Sequence, residues 1–225
     1  MSRAGPRVAV AVLGKDLLLD LRSRDRIVHM AVFAALIVVL LVLTLPDSRA
    51  ARADSIPALL WIVFLFTSLL GLSRSFQAET EQGAVALLMQ APCDRGWVFL
   101  GKVTANLIAL LGIEVWTALL FTIFLDVAWA PALPSALGIA VLGAVGLSAL
   151  GSLLSAMSMF VRFRDFLFPI LLFPLVLPLL VYASDMTATA LRGETISSVS
   201  WSVLALYDWI FIWIGYFVFD YVLED

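Results

Sequence analysis

The sequence predicts an all-α integral membrane protein with six transmembrane helices. Of its 225 residues, 63% are hydrophobic and 14% charged, whereas a soluble domain is nearer half apolar and a quarter charged. Its mean hydropathy of +1.05 leaves too little polar surface to cover a globule in water. The apolar residues also gather into six runs, each near the roughly 20 residues that cross a hydrocarbon core about 30 Å thick. Together these features exclude an ordinary soluble enzyme, a disordered chain and a nucleic-acid-binding module. The net charge of −3 supplies no basic field for nucleic acid.

Residues 1–26 form a cytoplasmic amphipathic segment. Val10, Leu13, Leu17 and Leu21 fall on one helical face, and Lys15, Asp16, Asp20 and Arg22 on the other. Such a helix can lie in the membrane interface with its cations near anionic lipid. It serves either as a topology anchor or as an elbow that guides the chain into the first span. Residues 27–222 make one six-span domain, with spans at 27–45, 56–72, 103–125, 135–161, 166–183 and 201–222, and residues 223–225 are a short tail. The first run is too long, and begins too far along the chain, for a cleaved signal peptide. Eleven Lys and Arg residues lie on one side of these spans and three, Arg49, Arg52 and Arg192, on the other. The positive-inside rule therefore places both termini in the cytoplasm.

The second loop, residues 73–102, carries too much apolar pattern for a solvated connection. Glu79 and Glu81 open a helical pattern with Val85, Leu88 and Met89 on one face, and Pro92 stops it. A short amphipathic helix held between two spans offers a handle to a cytoplasmic partner. Gly96 to Lys102 has the spacing of a phosphate-binding loop, but Val103 stands where Ser or Thr would reach magnesium, and the intervening residues are bulky. With no nucleotide site visible, energy from ATP would have to come from a separate chain.

Within the spans, Glu114 is costly to desolvate at mid-membrane. It is expected protonated or hydrogen-bonded and facing the bundle interior, either as a site for substrate or proton or as an interhelical hydrogen bond. Asp208, beside Trp201, Tyr207, Trp209 and Trp213, reads first as a wet carboxylate in an interfacial aromatic belt, with a site for a flat aromatic ligand as the second reading. Ala140, Ala144, Ser148, Ser152 and Ala156 form a small-residue stripe for close helix packing, within or between chains. Pro169, Pro174 and Pro178 are kink candidates, either tolerated or part of a moving element. One Cys and one His cannot build a His/Cys metal cluster within one chain. No catalytic nucleophile–base pair and no metal site are expected, nor a covalently bound cofactor.

The stretch LLGLSRSFQAETEQGAVALLMQAPCDRGWVFLGK resembles the region between the second and third spans of exporter-type (ABC-2-like) permeases. There an acidic E-x-E-x-G segment, here Glu79, Glu81 and Gly83, leads a short coupling helix. The whole chain is similar to the CcmB family, the haem-exporter permease of cytochrome c maturation. The similarity also rests on Lys15-Asp16 with Asp20-Leu21-Arg22, the run FVRFRDFLFPILLFPLVLPLLVYAS, and the closing Tyr221 to Asp225. It implies a bacterial inner-membrane subunit whose ABC ATPase partner docks on residues 79–89. Further implied partners are haem-handling membrane subunits and a haem chaperone, with haem as a handled ligand. One coupling loop per chain against two ATPase domains implies two copies per complex. Export of a lipid, drug or polysaccharide, and a non-transporting membrane scaffold, are the alternative readings.

Overall fold

The computed structural model describes residues 4–46, 48, 53–76, 94–130, 132–158 and 164–222. Those residues form seven helices: α1 (Ala4–Ser23), α2 (Asp25–Thr44), α3 (Ile56–Leu72), α4 (Gly96–Leu125), α5 (Leu133–Ser158), α6 (Arg164–Leu191) and α7 (Ser198–Val222). Five of them (α2, α4, α5, α6 and α7) are long and apolar enough to cross a membrane. At 17 residues α3 is shorter, rising about 26 Å at 1.5 Å per residue.

Three boundaries differ from the sequence reading. Helix α4 begins at Gly96, so Gly96–Lys102 is helical, and the phosphate-loop spacing falls on its first two turns. Helix α6 continues to Leu191, reducing the following loop to residues 192–197. Gly193 ends it with φ 73°, its N–H bonded to the Ala190 carbonyl and that of Glu194 to Thr189. This is the paired arrangement that a glycine after a helix permits. Helix α2 starts after a single residue, Arg24, in the left-handed conformation.

Helix α5 is the central element. Ala144, Ser148, Ser152 and Ala156 of the predicted stripe are all fully buried, and α5 packs on α4, α6 and α7. The small residues therefore seat neighbours of the same chain: Gly143 faces Trp61, Gly151 faces Leu72, and Gly146 faces Leu179 and Asp208. A middle core joins Trp61, Phe64, Leu147, Leu150, Leu172 and Val176. A second cluster, with Val12, Phe76, Phe99 and Phe219, lies at the end where α4 begins. A third, with Val38, Ile56, Phe121 and Leu125, lies at the opposite end.

Helix α1 lies along the first half of α4. A Cβ on Gly101 would sit 2.7 Å from the Ala9 carbonyl oxygen, so that glycine lets the two backbones approach. The end of α7 meets the same region, where Arg95 donates to the Asp220 carbonyl at 3.1 Å and Tyr216 to Asp94 at 2.7 Å. The first and last helices thus finish at one end of the bundle.

The faces of α1 differ from the amphipathic expectation. Val10 and Leu21 are 66% and 65% exposed, while Val12 is buried and the Asp16 side chain is only 13% exposed. Charge partners on α4 and α2 draw the acidic edge inward. Val10 and Leu21 are left outward, toward the surface that lipid would cover.

Candidate functional site

The inward acidic edge of α1 meets a matched edge on α4. Asp16 and Asp20 are four residues apart, as are Lys102 and Asn106, so each pair shares one helical face. Lys102 Nζ lies 3.0 Å from Asp16 Oδ2 and donates to the Ser75 carbonyl at 2.9 Å. Its side chain is 2% exposed, and Nζ stands 4.7 Å from the Phe76 ring centre, within cation–π range. Lys15 also pairs with Asp16 at 3.0 Å.

Arg26, in the first turn of α2, joins the two helices. It pairs with Asp20 and donates to Asn106 Oδ1 at 2.9 Å. The Asn106 amide donates to Ser75 Oγ at 2.9 Å and to Ser152 Oγ at 2.8 Å, engaging both ends of the carboxamide. Burial raises the Asp20 carboxyl above its ordinary value, and Arg26 opposes that rise. The network ties α1, α2, α4, α5 and the turn after α3. Ser75 and Lys102 stand near the two ends of the 73–102 loop, so the network clamps both feet of that loop.

Sequence reading placed Asp16 and Asp20 on the polar face of an interfacial helix and gave Lys102 and Asn106 no partners within the bundle. The usable signal was the coincidence of two four-residue spacings with opposite character, acidic on α1 and donor-rich on α4. Glu79, Glu81, Gly83, Val85, Leu88 and Met89, the predicted ATPase-coupling residues, lie outside the described residues.

Glu114 is 8% exposed and lines a cavity of about 280 Å³ with Trp61, Thr122, Trp129, Ala140 and Thr187. Its Oε2 is buried with no hydrogen-bond partner among the described residues. Trp61 instead donates to Thr187 Oγ1 at 3.0 Å, and Trp129 to Thr122 Oγ1 at 2.8 Å. The cavity therefore presents apolar walls and one carboxyl, able to accept a hydrogen bond or a proton.

Asp208 is not the wet belt residue expected from its aromatic neighbours. It is 5% exposed, lies close to Gly146 of α5, and neither carboxyl oxygen has a partner among the described residues. The surrounding tryptophans misled the reading, because Trp209 and Trp213 point outward from α7 while Asp208 points in. The structure puts Glu114 and Asp208 in different surroundings.

The three proline candidates sit in one uninterrupted helix. Pro178 cannot donate to the Pro174 carbonyl. One residue on, the Leu175 carbonyl accepts from Tyr207 at 3.1 Å. That bond ties α7 to α6 beside the position where Pro178 removes a donor.

The sequence signature of the family described as CcmB protein matches residues 7–220. Three relatives are each described as heme exporter protein B. The Rhodobacter capsulatus protein is 29% identical over 189 residues, covering 83% of this chain and 85% of its own. The Pseudomonas aeruginosa protein is 27% identical over 183 residues, with 81% of each chain covered. The Haemophilus influenzae protein is 25% identical over 187 residues, covering 81% and 82%. A signature match running from the first turn of α1 to the last turn of α7 takes in the clamp, the cavity and the central α5 together, and this chain belongs to the CcmB protein family.

Proposed function

We propose that this chain is the permease subunit of an ABC transporter complex handling haem for c-type cytochrome maturation in a bacterial inner membrane. The observation that carries the reading is the family match over residues 7–220, with relatives described as heme exporter protein B. It is a transport subunit, with ATP hydrolysis in a partner chain. Haem is cargo, and haem-handling membrane subunits and a haem chaperone are the other partners.

All six helices after α1 cross the bilayer in this proposal, α3 included. Ser75, just past α3, meets Lys102 and Asn106 at one end of the bundle, while Ile56 packs with Leu120 and Leu125 at the other. Both termini face the cytoplasm, supported by the eleven-to-three charge bias and by α1 and the end of α7 sharing one end of the bundle. The ATPase docks on residues 79–89, with two chains per complex so that each nucleotide domain meets one loop. Movement of that loop reaches the bundle through Ser75 and Lys102, which are bonded to each other and to α1 and α5 through Asp16 and Asn106.

Reversing Glu79 and Glu81 to Lys should greatly reduce recovery of the ATPase with the tagged permease, while the permease still inserts. Like charge at a matched contact costs several kcal/mol. Undiminished ATPase recovery would remove this docking site. Unimpaired c-type cytochrome maturation in a strain lacking the gene would remove the haem reading.

A further inference from the structure

A groove of about 320 Å³ lies between the first half of α2 and the end of α3. One end carries Arg26 and Arg74 with the His29 imidazole beside them, and the rest is apolar, with Val32, Leu36 and Leu70. From this geometry we infer a binding site for an anionic phospholipid. The inference needs only that α2 spans a membrane and stands independently of the haem reading.

The order of residues along α2 matches the order of groups in a lipid. His29, Val32 and Leu36 recur at three- and four-residue spacing and so follow one another along one face. His29 to Leu36 covers about 10 Å of helix. A phosphate at the Arg26, His29 and Arg74 end would therefore send an acyl chain along Val32 and Leu36, which are 53% and 63% exposed.

Arg26 is paired with Asp20 behind the groove, so Arg74 supplies the further positive charge there. Among the described residues, no carboxylate lines the groove. Arg26 directs both terminal nitrogens inward, to Asp20 and Asn106. Its Nε is buried as well and so does not open onto the groove. A phosphate oxygen is the acceptor that guanidinium groups pair with best. A zwitterionic headgroup would bring its own cation to this end and gain less.

The test uses the full-length chain in mild detergent, titrated with dioleoyl phosphatidylglycerol or dioleoyl phosphatidylcholine and followed by native mass spectrometry. The wild type should retain phosphatidylglycerol severalfold more than phosphatidylcholine. Each of His29→Gln and Arg74→Gln should reduce that retention, by about fivefold for the arginine. Arg192→Gln, in the loop after α6, should leave it unchanged. Val32→Trp, which fills the apolar part and leaves the cations in place, should also reduce retention. Equal retention of the two lipids, or insensitivity to Arg74→Gln and Val32→Trp, would overturn the inference. Displacement of the lipid by inorganic phosphate would reduce the site to an ion site and overturn it too. Arg74→Gln converting a dimer to monomer, with lipid retention unchanged, would assign the groove to a second copy of this chain.

Discussion

The Lys102–Asp16 pair gives the most direct test of the clamp at the loop's feet. Lys102→Met keeps the aliphatic stem beside Phe76 and removes Nζ. The substitution deletes the 3.0 Å pair with Asp16 and the 2.9 Å bond to the Ser75 carbonyl. Removing one partner of a buried ion pair typically costs about 3–5 kcal/mol. The lower end, about 3 kcal/mol, applies because Asp16 is 13% exposed and keeps Lys15 at 3.0 Å. Equilibrium unfolding of the purified chain in mixed micelles measures the loss. A cycle with Asp16→Asn separates the pair from the individual side chains. Asp16→Asn alone should destabilise, because it removes a carboxylate that faces the buried Lys102 ammonium, and the double variant should recover part of the loss. Interacting pairs give coupling energies of about 0.5–3 kcal/mol, and independent sites add to within about 0.5 kcal/mol. Additivity within that margin would refute the clamp as a coupled unit. A Lys102→Met variant with wild-type stability would refute the burial argument.

Glu114→Gln should leave assembly and ATP binding intact yet lose most c-type cytochrome maturation, because it keeps the shape of the side chain and removes its ionisable proton; normal maturation would make Glu114 a packing residue. Gly143→Ala should cost about 1–3 kcal/mol, typical of overpacking, because its Cβ would run into the Trp61 ring held by Thr187. Gly112→Ala, with open space around its Cβ, should instead be neutral or stabilise by up to about 1 kcal/mol; equal unfolding midpoints for the two variants would contradict the packing of α3 on α5. In a Cys93→Ser background, single cysteines at Ser48 and Ser197 should react with an impermeant maleimide from outside, and one at Ser2 should not. Reaction at Ser2 from outside would overturn the orientation.

The sequence by itself determined the membrane class, the approximate position of every long apolar helix and the family. Each of these depends on local or cumulative properties. Apolar run length sets whether a helix can cross a bilayer, and the acidic segment around Glu79 to Gly83 lies in one continuous stretch. What lay beyond it were the partners of its polar residues. Lys102 read as the last residue of a loop because hydropathy assigns a cation outside the membrane. Tertiary contact instead supplies Asp16 and a Ser75 carbonyl, making the buried position tenable and carrying α4 back to Gly96. Asp208 read as wet because its sequence neighbours are belt-type aromatics, yet on a helix adjacent residues point about 100° apart. Its surroundings come from Gly146 on α5, remote in sequence. For the same reason the α5 stripe could be read as close packing but not assigned to partners. Small residues permit approach by any helix, and only the assembled bundle selects Trp61, Leu72 and Leu179 to fill the space.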